Sequence, residues 1–212
     1  MKNLLSKRTL NKYSRQIILK DVGIIGQKKI FNSKILVVGA GGLGSPVIDL
    51  LVRAGVGFLG VIEDDKVDYS NLHRQTLYDY NDVGKYKSDV IKKKIKLIND
   101  KIKLKIFKER AKDKNLSKIL PKFDIIVDGT DNFPTKFLLN KYSLKYRKKL
   151  VIGAISKFDG HIFSFDFSQK KIPCLNCFYQ GMPSDEILNC EAEGILGPTA
   201  NVIGALQANE VL

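Results

Sequence analysis

Gly39-Ala40-Gly41-Gly42-Leu43-Gly44 stands directly after the apolar run Ile35-Leu36-Val37-Val38 and directly before a helical run from Val47 to Arg53. That order suits a nucleotide phosphate. Gly39 permits a tight turn, Gly41 and Gly42 let backbone approach a pyrophosphate, and Gly44 lets the helix pack against the strand. The N–H groups at the helix start then face the anion. An acid about 20 residues on is expected at the next strand end, for ribose hydroxyls. Glu63, closing Phe58-Leu59-Gly60-Val61-Ile62, fills that place. Three further groups gather at strand ends. They are Glu63-Asp64-Asp65 with Ser70-Asn71-Leu72-His73-Arg74-Gln75, then Lys85-Tyr86-Lys87, then Gly129-Thr130-Asp131-Asn132. A nicotinamide dehydrogenase uses the glycine loop and Glu63 but has no need of the rest. An Arg and a Lys near the phosphates and a carboxylate at the fourth strand end suit cleavage of a triphosphate, since cations neutralise charge developing between phosphates and a carboxylate can hold Mg²⁺.

The elements that must place these groups alternate along the chain. Strands are expected at 35–39, 58–63, 103–107, 124–128 and 150–155. Helices are expected at 43–54, 85–99, 113–120 and 133–146, the second carrying Val90, Ile91, Ile95 and Ile98 at helical spacing. The alternation predicts an α/β, Rossmann-like, mostly parallel sheet with flanking helices. Residues 161–167 alternate differently and predict an antiparallel extension after a turn at Asp159-Gly160. Ahead of the sheet, Ile17, Ile18, Leu19, Ile24, Ile25 and Ile30 predict an amphipathic N-terminal helical segment. The expected division is a single domain over 1–212. Residues 1–32 are the helical segment, 33–156 the nucleotide-binding core, and 157–212 the C-terminal part. The helix expected over Asn201 to Leu212 ends without a stop signal, so the sequence reads as cut short.

Composition narrows the class. With 44% apolar and 27% charged residues the chain reads as globular, and no apolar run has the length of a membrane span. Its first residues lack the apolar core of a signal peptide, which predicts a cytoplasmic protein. The net charge is +14, from 36 Lys and Arg against 22 Asp and Glu. An acidic partner such as nucleic acid is one reading. The lysines of 85–105 and 136–149 lack aromatic interleaving, so solvated faces are the reading preferred here, with nucleic acid set aside. Three cysteines make no disulfide framework and point to metal or thiol chemistry. Cys174-Leu175-Asn176-Cys177 offers half of a tetrahedral zinc site.

Several stretches together resemble the ThiF/MoeB adenylyltransferases, bacterial relatives of ubiquitin-activating enzymes. They are Tyr13-Ser14-Arg15-Gln16-Ile17, the glycine loop through Ser45-Pro46, Ala54-Gly55-Val56-Gly57, Asp64-Asp65 through Ser70-Asn71-Leu72 to Arg74-Gln75, Gly84-Lys85 with Lys87, and Thr130-Asp131-Asn132. The resemblance runs from about residue 12 to the end. It implies that ATP adenylates the C-terminal carboxylate of a ubiquitin-like sulfur carrier, with pyrophosphate leaving and the carboxylate then open to sulfur transfer, a sulfurtransferase being a further partner. By position, Gly42 would lie on the phosphates and Glu63, where the family more often has Asp, on the ribose. Asn71, Arg74 and Lys87 would contact the triphosphate, with Ser70 and Asn132 beside it, and Asp131 would coordinate Mg²⁺. Arg15 would reach the γ-phosphate of a neighbouring subunit, which implies a homodimer.

Plainer readings stand beside these. Asn71 also suits a turn, Arg15 a solvated helix, His73 a loop lining and His161 a strand. Cys190 matches a cysteine that can bond to the carrier in thiamine-pathway members, yet a structural thiol fits equally, and Glu191 and Glu193 disfavour a thiolate. The family's second Cys-x-x-Cys falls beyond residue 212, which implies zinc in a longer parent and a doubtful site here. Gly197-Pro198 and the Cys190 context place the thiamine-pathway carrier first and the molybdopterin-pathway carrier close behind. Further alternatives are a tRNA-modifying dehydratase, a non-catalytic carrier-binding module and, distantly, a nicotinamide oxidoreductase.

Overall fold

A computed structural model describes residues 6–181 and 194–212. Three short helices open the chain: α1 (Lys7–Lys12), α2 (Ser14–Ile17) and α3 (Gly23–Asn32). The alternating part then runs β1 (Lys34–Val38), α4 (Gly44–Ala54), β2 (Phe58–Ile62), α5 (Lys87–Ile98), β3 (Lys103–Phe107), α6 (Asp113–Ile119), β4 (Ile125–Asp128), α7 (Phe133–Lys145) and β5 (Lys149–Ser156). β6 (Asp159–Asp166), α8 (Leu175–Tyr179) and the C-terminal helix Gly197–Val211 follow. The six strands form one sheet in the order β3-β2-β1-β4-β5-β6. The first five are parallel, and β6 is antiparallel to β5. The chain passes to opposite sides of β1 after β3, so the carboxyl ends of β1 and β4 flank a switch point.

The central strands are apolar without interruption because both faces are covered. Alternate side chains go to opposite cores. Ile35 and Val37 join Val47, Ile48 and Leu51 of α4 and Ile91 and Ile95 of α5. Leu36 and Val38 join Leu116, Phe123, Ile126 and Leu139 beneath α6 and α7.

At the switch point three backbones nearly touch. Gly39 turns with φ +82°, and its N–H donates to the Ile62 carbonyl at 3.0 Å. A Cβ on Gly44 would overlap the carbonyl oxygen of Gly39. A Cβ on Gly129 would lie 2.9 Å from both that oxygen and the Gly44 Cα. Glycine is therefore required where β1, α4 and β4 meet.

Several boundaries differ from expectation. The hairpin turn is Lys157-Phe158, with Ser156 opposite Asp159, not Asp159-Gly160; Lys157 takes φ +53° there. The long helix starts at Lys87, because Tyr86 bridges to Lys66 in an extended conformation. The C-terminal helix starts at Gly197, where Pro198 suits a first turn. The N-terminal segment is helical as expected, in three short pieces. Ile18, Leu19, Ile24 and Ile25 are exposed, at 67%, 56%, 46% and 73%. Among the described residues, no helix is long and apolar enough to cross a membrane.

Gly44→Ala should cost about 3 kcal/mol, the upper range for overpacking, because both neighbours are backbone. Gly41→Ala, whose nearest neighbour would be a Gln75 nitrogen at 3.6 Å, should leave stability unchanged. Urea unfolding of the two variants checks this, and equal losses would contradict the packing account.

Candidate active site

A cavity of about 1460 Å³ opens at the carboxyl ends of the parallel strands. Gly39, Gly41, Gly42, Glu63, Ser70, Arg74, Lys87, Asp131 and Asn132 all line it. Each of the four groups expected to converge contributes residues to its lining.

The glycine loop is held by its own surroundings. Glu63 is buried, and its Oε2 accepts the Ala40 N–H at 2.8 Å while Oε1 accepts the Asp65 N–H at 2.8 Å. Each oxygen retains a second lone pair, so two ribose hydroxyls are still within its capacity. The Ala40 carbonyl accepts from the Tyr78 hydroxyl at 2.9 Å and from Ser45 Oγ at 3.1 Å. Burial, and then the nearby Glu63 charge, push the Tyr78 phenol well above its ordinary pKa.

The cations are held more loosely. Lys87 is buried to 5% exposure, yet its ammonium has a long contact, 3.5 Å, to Asp65. Arg74 donates to the Ser70 carbonyl at 2.9 Å and meets a ring nitrogen of His73 at 2.8 Å. Arg110, after β3, lies 3.4 Å from Asp64 and lines the same cavity. Asp131 is exposed on the cavity wall, where it accepts from the Asn132 amide at 3.3 Å. Asn132 also caps α7 through the Thr135 N–H at 3.0 Å.

Other expected residues stand elsewhere. Gly44 lies behind the loop, packed on Gly39. Asn71 closes a short 3₁₀ turn, Tyr69–Asn71, with its amide 3.4 Å from Ser70 Oγ, and is not among the lining residues. Arg15 sits on α2, also outside the lining. Cys190 lies outside the described residues. Cys174 and Cys177 lie 3.6 Å apart, close to the edge of about 3.8 Å that a tetrahedron with Zn–S of 2.3 Å requires. Among the described residues no third His, Cys or carboxylate joins them, so the set present fills two corners only. Burial raises the Cys174 thiol, but hydrogen bonds from the Cys177 N–H, Asn140 and the Cys177 thiol outweigh it and hold the pKa below its ordinary value.

Sequence reasoning missed several lining residues. Lys136 belonged to a stretch read as solvated, yet it is buried against Asp128 at 2.9 Å. His161 and Tyr179 also line the cavity, as do Arg110 and Lys112. A basic pair just past a strand end was the available signal for the last two. Tyr78 had none.

The description of the ThiF family matches residues 13–212. The chain belongs to the ThiF family. A sulfur carrier protein adenylyltransferase of Thermus thermophilus is 40% identical over 98% of this chain and 78% of its own length. A probable molybdopterin-synthase adenylyltransferase of Gracilaria tenuistipitata var. liui is 38% identical, over 98% of this chain and 58% of that protein. The MOCS3 adenylyltransferase and sulfurtransferase of Caenorhabditis briggsae is 36% identical, and the chain spans 52% of it. The crystal structure of E. coli MccB with ATP superposes with a TM-score of 0.81 at 27% identity, covering 95% of this chain and 62% of that one. The three curated relatives are named as adenylyltransferases, and the chain spans 78%, 58% and 52% of their lengths.

Tyr78→Phe should lower stability by about 1 kcal/mol through one lost buried hydrogen bond. The sign with pH is fixed by the raised phenol. Unfolded tyrosine ionises above about pH 10 while Tyr78 keeps its proton, so stability is full below that pH and falls above it. Urea midpoints from pH 8 to 11 should fall less steeply in the variant; parallel curves would contradict the assignment.

Proposed function

We propose that the chain joins the adenylyl group of ATP to the C-terminal carboxylate of a ubiquitin-like sulfur carrier. The observation that carries this reading is the convergence of Arg74, Lys87 and exposed Asp131 on the cavity of the glycine loop. A nucleotide that merely binds would not call for them.

A carrier carboxylate oxygen attacks the α-phosphorus, the bond from that phosphorus to the bridging oxygen breaks, and pyrophosphate leaves with the electron pair. Gly41 and Gly42 bring backbone close to the phosphates at the start of α4. Glu63 orients the ribose. Arg74 and Lys87 offset the charge gathering on the leaving group. Asp131, exposed on the cavity wall with Asn132 beside it, is the carboxylate that would hold a divalent cation. Mg²⁺ bound there would supply neutralisation across the phosphates. The product is a mixed anhydride, the electrophile that a sulfurtransferase would consume. The relatives named above include general sulfur-carrier and molybdopterin enzymes, and nothing in them favours the thiamine carrier, so both carriers are substrates to compare.

Arg15 has a role only if a second copy supplies it. In the same N-terminal segment Ile18, Leu19, Ile24 and Ile25 are exposed, apolar area that a homodimer would cover.

Exchange of labelled pyrophosphate into ATP should depend on carrier, and Asp131→Ala should slow it by roughly 10²–10³-fold through lost charge stabilisation. Wild-type exchange in that variant would overturn the mechanism. Arg15→Ala should also be inactive, and mixing it with Asp131→Ala should restore part of the activity. No recovery, with mixed dimers shown to form, would remove Arg15 from the site.

A further inference from the structure

Lys136 opens the α7 face toward the cavity from a stretch of lysines that otherwise meet water. Its side chain is 4% exposed and that of its partner Asp128 is 0% exposed. The ammonium has three hydrogens and three acceptors: Asp128 Oδ2 at 2.9 Å, the Thr130 carbonyl at 2.7 Å and the Gly153 carbonyl at 2.7 Å. These acceptors belong to the end of β4, the loop after it and β5. The other Asp128 oxygen accepts the Thr130 N–H at 2.9 Å and the Thr130 hydroxyl at 2.6 Å.

Taking two charges out of water is costly, and a well-packed apolar pair often serves stability as well or better. Core packing alone therefore does not explain a charge here. What the pair does is fix a loop. Thr130 is held at its N–H, its hydroxyl and its carbonyl. Asn132 is held as the cap of α7. Asp131 lies between these two fixed residues, and its side chain is the exposed carboxylate on the cavity wall.

We infer that Lys136 is a positioning residue: with Asp128 it holds the Thr130–Asn132 backbone so that the Asp131 carboxylate stands where a nucleotide-bound divalent cation is taken. This rests on the adenylyl-transfer reading above. Lys136 lines the cavity too, but its three hydrogens are spent on protein acceptors. It has none to offer a phosphate, unlike Lys87.

The test uses the paired variant Asp128→Asn/Lys136→Met, which removes both charges together and so leaves no buried charge alone. ATP affinity is measured by calorimetry in Mg²⁺ and in chelator, and kcat and KM by carrier-dependent exchange. Metal-free ATP affinity should stay within about threefold, the tightening by Mg²⁺ should shrink, and kcat should fall about 10–100-fold with little change in KM, as for a misplaced group. Adding Asp131→Ala should bring the loss to that of Asp131→Ala alone and not to the product of the two, because the residues act as one unit. Lys136→Arg, which keeps charge and donors, should recover most of the loss. If the paired variant does not fold, Thr130→Val loosens the same loop and should give the same pattern at about 3–10-fold. Losses that multiply with Asp131→Ala, or a matching fall in metal-free ATP affinity, overturn the inference alone. A wild-type chain that does not bind ATP more tightly with Mg²⁺ overturns the functional reading and this inference with it.

Discussion

The close backbone approach where Gly39, Gly44 and Gly129 meet is the constraint on which the site depends. A single methyl group at any of the three would separate β1, α4 and β4. With them together, the start of α4 points across the carboxyl ends of two neighbouring parallel strands, the place where open α/β sheets take ligands. The loop after β1 supplies backbone for phosphates and the loop after β4 supplies Asp131, side by side. The same crowding leaves no room for Ala40 to wander. Glu63, Tyr78 and Ser45 hold both of its polar backbone groups.

Charge in the cavity falls into two kinds. Asp128 and Lys136 are buried with their hydrogen-bonding capacity largely used by the protein itself. They set geometry. Arg74, Lys87 and Asp131 are held by few or long contacts and still have capacity to give. They are suited to meet a substrate whose charge changes during reaction. A preorganised site needs both kinds, since an oriented dipole or ion costs no reorganisation at the moment of bond breaking. The Lys136 clasp and the loose Asp131 carboxylate, one residue removed from Thr130, are the sharpest instance.

The sheet and the glycine loop were legible because period and punctuation agree. Ile35 to Val38 must be buried on both faces, and Gly39 and Gly44 are required by turn and close contact. Lys136 was not legible, since it lies among Lys141, Lys145 and Lys148 and sequence spacing does not distinguish a buried lysine from solvated neighbours. The acceptors that explain it, on Thr130 and Gly153, become neighbours only once β4 and β5 pair. The isoleucines at 18, 24 and 25 misled in the opposite sense. Their spacing is that of a buried face, yet among the described residues nothing covers them. Tyr78 carries no local mark, because its partner Ala40 is 38 residues away. Asn71 could be read as turn or contact, and in the chain alone it stands in the turn.

Adenylyl transfer in this cavity would break ATP between its α- and β-phosphates and leave the adenylyl group on a carrier carboxylate. The most direct measurement follows the label. ATP labelled at either the α- or the γ-phosphorus is mixed with the chain, Mg²⁺ and each carrier, and the products are separated. The account predicts α-label bound to the carrier and γ-label in pyrophosphate. Inorganic phosphate from the γ-labelled nucleotide, with ADP as the other product and no label on either carrier, would contradict it.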